Sequence, residues 1–89
     1  MEYVINGKGI FLMDDKKEIG NVLLGKQGED VFRILRVYVD ESYRGQGLAG
    51  KLVLKTVEYA RENHFKLVPV CSFAVSEFAR KSEYSDVLF

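Results

Sequence analysis

A glycine-rich segment between two periodic stretches restricts the possible folds of this chain more than any other feature. It reads Arg44-Gly45-Gln46-Gly47-Leu48-Ala49-Gly50-Lys51. Residues 31–39 before it alternate as a strand does, and apolar residues after it recur at helical spacing. Closely spaced glycines let the backbone approach a ligand, and the helix that follows points its unpaired N–H groups to the same place. The arrangement predicts a phosphate or pyrophosphate site.

The residues before the glycine segment predict an antiparallel meander. Short apolar runs separated by turn residues indicate three strands, at residues 10–13, 18–24 and 31–39. Strict alternation in the third strand predicts its two faces. One face is expected to carry Val31, Leu35, Val37 and Val39. The other is expected to carry Phe32, Ile34, Arg36 and Tyr38.

The residues after the glycine segment predict a helix, a strand and a second helix. The first helix is expected from about Gly47 to His64, the strand at 67–71, and the second helix at 73–81 with Ser72 as its N-cap. A strand, a helix and a strand in this order form a parallel pair with a right-handed crossover. Pro69 has no N–H to donate, so we expect the pair to open there. The fold class is therefore α/β.

Composition narrows the class of protein. The chain has 89 residues, which suits one domain at 1–89, with 13 basic and 13 acidic residues that cancel. A net basic domain, the mark of a nucleic-acid binder, is absent, and so is any run long enough to span a membrane. One cysteine and one histidine predict no disulfide and no metal site, and a reduced cytoplasmic location is expected.

Two nucleotide-binding interpretations of the glycine segment lack the necessary context. Gly45, Gly47 and Gly50 satisfy G-x-G-x-x-G, but no acidic residue follows about 20 positions later to hold a ribose. The segment nearly fits the P-loop pattern, but Leu52 stands where that pattern needs a hydroxyl for Mg²⁺. A nucleotide-binding domain stays open as an alternative, and it predicts that ATP or NAD binds.

A third interpretation comes from a resemblance to a known family. The stretch from Val37 to Ala49 resembles motif A of the GCN5-related N-acetyltransferases, whose signature [QR]-x-x-G-x-[GA] is matched by Arg44, Gly47 and Ala49. A narrower resemblance is to the compact YjdJ-like N-acetyltransferases, which share R-G-Q-G, a Pro…Cys-x-Phe segment and E-Y-x-D. These lie here at residues 44–47, 69–73 and 83–86.

The resemblance implies a minimal fold of that superfamily, in which the two central parallel strands splay apart and a short helix follows. It implies acetyl-CoA as cosubstrate, an amine on a small molecule or protein as acceptor, and a monomer or weak homodimer. Loop amides and Arg44 would hold the pyrophosphate, and strand amides would hold the pantetheine arm. The implied cofactor-binding residues are Val37, Val39, Arg44, Gly45, Gln46, Gly47, Leu48, Ala49 and Gly50.

The catalytic groups follow the resembled families less closely. The compact group often carries His-Thr where Arg36 and Val37 stand here, and larger members often have a proton-donating Tyr that Phe78 replaces. Cys71, at a strand end before a helix, is the candidate nucleophile or proton donor. It is equally consistent with a small buried apolar residue. The chain is thus expected to transfer acetyl groups to an amine; the alternative is a coenzyme A-binding module with little activity.

Overall fold

The computed structural model describes residues 1–89, which form one five-stranded sheet with the strands in sequence order. The first four strands pair antiparallel, and the last is parallel to its neighbour. The elements are β1 Glu2–Asn6, β2 Gly9–Asp14, β3 Lys17–Gly28, β4 Val31–Val39, α1 Leu48–Asn63, β5 Lys66–Pro69 and α2 Ser72–Arg80, with 3₁₀ turns at Glu41–Tyr43 and Ser82–Val87. The predicted α/β fold, with a meander joined to a βαβ unit, is confirmed.

β1 is a strand that the sequence analysis did not predict. It pairs with β2 at the edge of the sheet, and only Tyr3 among its residues is even half-buried. Its side chains therefore lack the apolar alternation that marks a half-buried strand. Asn6-Gly7 between the two strands is a common hairpin-turn signal that would have indicated it.

The predicted faces of β4 are wrong because the strand contains a β-bulge. Leu24 pairs with Ile34 and Leu23 with Arg36, so Leu35 is an extra residue opposite β3. The bulge shifts the alternation by one position. Ile34 is fully buried, Val39 is buried and Val37 packs against the core, whereas Leu35 is 44% exposed. Phe32 and Ile34 thus share the core face with Val37 and Val39.

The amphipathic helix α1 covers one face of the sheet. Its buried residues recur every three or four positions, as predicted: Leu48, Leu52, Val53, Thr56, Val57 and Ala60. A Cβ on Gly20 of β3 would lie 3.1 Å from Leu52 Cδ1, so glycine lets the helix approach closely. The opposite face holds residues that are mostly exposed or half-buried, and it is called the uncovered face below. It carries Phe11, Asn21, Leu23, Leu35, Arg36 and Tyr38.

The second helix begins one residue earlier than predicted, and its N-cap is Cys71 rather than Ser72. Cys71 has extended backbone angles, and its sulfur accepts from the Ala74 N–H at 3.4 Å. Beyond α2, Arg61 of α1 holds the chain end through a two-pronged bond to Asp86, with N–O distances of 2.8 and 2.9 Å. None of the helices has the length and apolar composition that crossing a bilayer requires.

Candidate functional site

The two parallel strands separate where the sequence analysis predicted. β4 and β5 pair from Val31 opposite Lys66 to Ile34 opposite Pro69. The N–H groups of Val70 and Cys71 then both donate to the Ile34 carbonyl, at 3.1 and 3.2 Å, as the chain turns into α2. β4 continues to Val39 without a partner on that side, which leaves a gap beside residues 35–39.

Backbone groups of β4 face this gap. The Asp40 N–H donates to the Ile19 carbonyl at 2.7 Å, so Val39 and its partner Gly20 form a non-hydrogen-bonded pair. Val39, and Val37 two residues before it, therefore turn their own N–H and C=O groups away from β3. Arg44 Nε donates to the Val39 carbonyl at 3.0 Å. Both groups of Val37 and the N–H of Val39 remain directed at the gap.

The glycine segment adds unpaired N–H groups at one end of the gap. Gly45 and Gly47 have φ angles of +85° and +73°, which glycine adopts without strain. Gly47 is the N-cap of α1, and having no side chain it leaves the first turn uncapped. No N–H from residue 45 to 50 donates to an acceptor in the protein. Together with the helix dipole, these donors give the concavity the charge and geometry that suit an anion.

A cavity of about 260 Å³ lies against this segment. It is lined by Val39, Arg44, Gly45, Gly47, Leu48, Ala49, Gly50 and Phe73. The structure therefore brings together all of the predicted cofactor-binding residues except Val37, which lies farther along β4, and Gln46, which is exposed on the loop. Phe73 was not predicted. Its place in the Cys-x-Phe segment, one residue after the α2 start, was the available signal.

Contacts before and beside the loop hold it in place. The Tyr43 hydroxyl donates to Asp14 at 2.6 Å, which ties the loop to the β2–β3 hairpin and raises the pKa of Tyr43 above its usual value. Asp40 accepts from the N–H and hydroxyl of Ser42, at 3.0 and 2.7 Å. These hydrogen bonds lower the pKa of Asp40, so its carboxylate is committed to capping a turn.

A buried carboxylate supports the start of α1 from the side of α2. Glu77 is 2% exposed and accepts from Arg80 and, at 3.0 Å, from Lys81. A Cβ on Gly50 would lie 3.4 Å from Glu77 Oε1, so the carboxylate sits against the first turn of α1. The sequence analysis did not single out Glu77.

None of the residues considered for catalysis lines the glycine cavity. Cys71 is half-buried at the gap, where its N–H bonds to Ile34, but it does not line the cavity. Phe78, which stands in place of the usual Tyr, packs in the core with its ring 5.5 Å from that of Tyr84. Glu83 lies near Arg61, which donates to its carbonyl.

A larger cavity, of about 430 Å³, lies at the opposite end of α1 between Arg61, His64, Lys66 and Asp86. Its size does not make it the better phosphate site. The C-terminal end of a helix carries negative partial charge, which repels anions. Arg61 and Lys66 also already donate to Asp86, by its side chain and its carbonyl. The glycine cavity, with its unpaired donors, is the candidate site.

A βαβ unit with splayed strands and a glycine-capped helix defines the acetyltransferase class of fold. A family model described as GCN5-related N-acetyl-transferase matches residues 9–87. The chain belongs to the GCN5-related N-acetyltransferase family. The narrower resemblance to the compact YjdJ-like group stays a prediction.

Individual relatives agree with this assignment. A GCN5-like protein from Staphylococcus aureus, solved by NMR, has a TM-score of 0.79 and 26% identity over 99% of this chain and 87% of its own. A GNAT family N-acetyltransferase from Escherichia coli, solved with CoA, has a TM-score of 0.66 and 32% identity over 81% of this chain and 43% of its own. N-acetylaspartate synthetase from Xenopus tropicalis is 35% identical over 57 residues, 64% of this chain and only 21% of that protein.

Proposed function

We propose that residues 1–89 act as a single domain that binds acetyl-CoA and transfers its acetyl group to a primary amine. The main support for this proposal is that two sets of unpaired backbone groups lie one after the other in the structure. Residues 45–50 offer unpaired N–H groups at the start of α1, and the unpartnered edge of β4 continues from that point along the gap. A pyrophosphate with an extended amide-containing arm has the chemistry to bond to both.

The pyrophosphate would bind the loop amides, with the free guanidinium nitrogens of Arg44 adding positive charge. The pantetheine arm would pair with Val37 and Val39 as an added strand does. Its thioester then lies towards the bulged part of β4. A strand N–H there would stabilise the oxyanion that forms when an amine attacks the carbonyl carbon.

The reaction needs two proton movements. The amine nitrogen forms a bond to the carbonyl carbon and loses a proton to water or a carboxylate, and the carbon–sulfur bond breaks. The departing thiolate takes up a proton. Cys71 is the proposed donor because it lies at the gap, where its N–H bonds to the Ile34 carbonyl, and Phe78 has no proton to give. Direct transfer is proposed rather than an acetyl-cysteine intermediate.

The test measures binding and turnover on the same preparation. Calorimetry with CoA should show binding, and acetyl-CoA with pooled amines should release free CoA continuously. NAD or ATP binding better than CoA would refute the cofactor assignment and favour a nucleotide domain. The second candidate function, a CoA-binding module, is favoured by the burial of Phe78 in the core. It predicts CoA binding with no acceleration of CoA release by any amine.

A further inference from the structure

The uncovered face of the sheet carries an arginine without an acidic partner. Arg36 is exposed, and its guanidinium carbon lies 4.7 Å from the ring centroid of Tyr38. Arg61 and Arg80, by contrast, each pair with a carboxylate. Stacking on a ring limits the motion of the guanidinium and leaves its N–H edge free. Arg36 therefore presents a donor fork suited to a carboxylate.

Asn21 supplies a hydrogen-bond acceptor on the same face of the sheet. It lies directly between Phe11 and Tyr38 across the strands and is 7% exposed. Its Nδ2 donates to Glu18 Oε2 at 2.9 Å, which fixes the orientation of the amide. Asn21 Oδ1 is the only buried side-chain oxygen or nitrogen in the protein without a hydrogen-bond partner. A buried oxygen without a hydrogen bond destabilises the fold, which suggests that a ligand N–H or O–H group donates to it.

The bulge in β4 places Arg36 beside the gap, on the same face of the sheet as Asn21. Arg36 lies two residues beyond Ile34, where pairing with β5 ends. With regular alternation Arg36 would share the face of Ile34 and point into the core; the extra residue Leu35 turns it outward. Arg36 and Asn21 thus lie on the same uncovered face of the sheet, with Arg36 next to the gap.

Resting on the proposed acetyltransferase function, we propose that Arg36 and Asn21 form the acceptor subsite, and that the acceptor is a primary amine that also bears a carboxylate. Arg36 binds the carboxylate, and Asn21 Oδ1 accepts an N–H of the amine. The carboxylate binds the free N–H edge of the stacked Arg36 first; because Asn21 Oδ1 is buried, the Tyr38 side chain must then move aside for the amine to reach it. The subsite places the positively charged guanidinium of Arg36 near the uncharged amide oxygen of Asn21, whose orientation Glu18 fixes. This arrangement complements an amine that also bears a carboxylate.

The first test compares acceptors that differ by one group. Acetyl-CoA turnover is measured with the pooled protein amino acids and, separately, with the matched amines that lack the α-carboxylate. We expect at least about tenfold faster acetylation of the carboxylate-bearing pool. Arg36→Gln should abolish this preference and keep CoA affinity. Arg33→Gln, an exposed arginine earlier on the same strand, should keep the preference.

Equal rates for the two pools, or a preference that survives Arg36→Gln, would overturn the subsite while leaving the acetyltransferase intact. If the unmodified protein does not bind CoA, the proposed acetyltransferase function itself is wrong. For Asn21→Leu we expect the acceptor KM to rise by about three- to tenfold, with an unchanged acetyl-CoA KM and no fall in Tm, because an unsatisfied buried oxygen is removed. An unchanged acceptor KM would remove Asn21 from the subsite.

Discussion

A glycine at position 47 serves two purposes: it adopts left-handed backbone angles, and it leaves space for a ligand at the start of α1. Replacing Gly47 with asparagine keeps the angles and fills the space. Gly47 has φ +73° and ψ 18°, and a Cβ built there meets no atom of the protein within 4 Å. The new side chain therefore projects into the open space that the loop amides face. Asparagine tolerates left-handed angles and is a favoured N-cap, so the fold should be retained. Gly47→Val adds strain of about 1–2 kcal/mol or more at the same position.

The expected loss of CoA affinity follows from the donors that become blocked. A hydrogen bond to a charged group contributes about 1.5–3 kcal/mol. If the asparagine side chain displaces the phosphate from two of the amides in residues 48–50, the loss is about 3–6 kcal/mol. That corresponds to a rise in Kd of at least about a hundredfold.

Calorimetry with CoA measures the affinity of each variant, and a thermal melt shows whether the variant is folded. Gly47→Asn should lose measurable CoA binding with a Tm near that of the unmodified protein, and Gly47→Val should lose binding with a lower Tm. Gly7→Asn is the matched control, because Gly7 lies in the β1–β2 turn and its Cβ also meets open space. CoA affinity retained by a folded Gly47→Asn protein would refute the placement of the pyrophosphate.

Three further predictions test other parts of the account. Phe73→Ala should raise the Kd for CoA about tenfold by removing an apolar wall of the cavity, whereas Val75→Ala on the same helix should not; equal effects would show general destabilisation. Cys71→Ala should lower kcat about a hundredfold at unchanged CoA affinity, and Ser72→Ala should not; full activity of Cys71→Ala would leave the thiol a packing residue. Hydrogen bonds from an arginine of α1 lower the pKa of Asp86 in the folded protein. The ionised Asp86 carboxylate should therefore stabilise the fold above the unfolded-state pKa of about 3.9, and this stabilisation should be lost as pH falls through the lower folded-state pKa. Urea unfolding at neutral pH and at about pH 2.5 should therefore show a larger acid-induced loss for the unmodified protein than for Asp86→Asn, and equal losses would contradict this.

Much of the fold was predictable because its signals are local and periodic. The change from alternation to helical spacing located α1 to within a residue, and the single proline marked where β4 and β5 part. The glycine segment marked the cavity because the positive φ angles at positions 45 and 47 favour glycine.

The features that sequence reasoning missed depend on contacts between distant residues. The bulge at Leu35 follows from the register against β3, and no residue type announces it. The same bulge reversed the predicted faces of half a strand and turned Arg36 outward. Glu77 reads as an exposed helical residue, yet the packing of α2 against Gly50 buries it. The orphan oxygen of Asn21 is likewise visible only once both neighbouring strands are in place.

The most direct test of the central claim is a titration of ¹⁵N-labelled protein with CoA, followed by NMR. A chain of 89 residues gives resolved amide signals, so the bound surface can be read residue by residue. We expect saturable shifts of the amides from Gly45 to Gly50, together with Val37 and Val39 along the gap. Shifts confined to the second cavity around Arg61 and Lys66, or none at all, would contradict it.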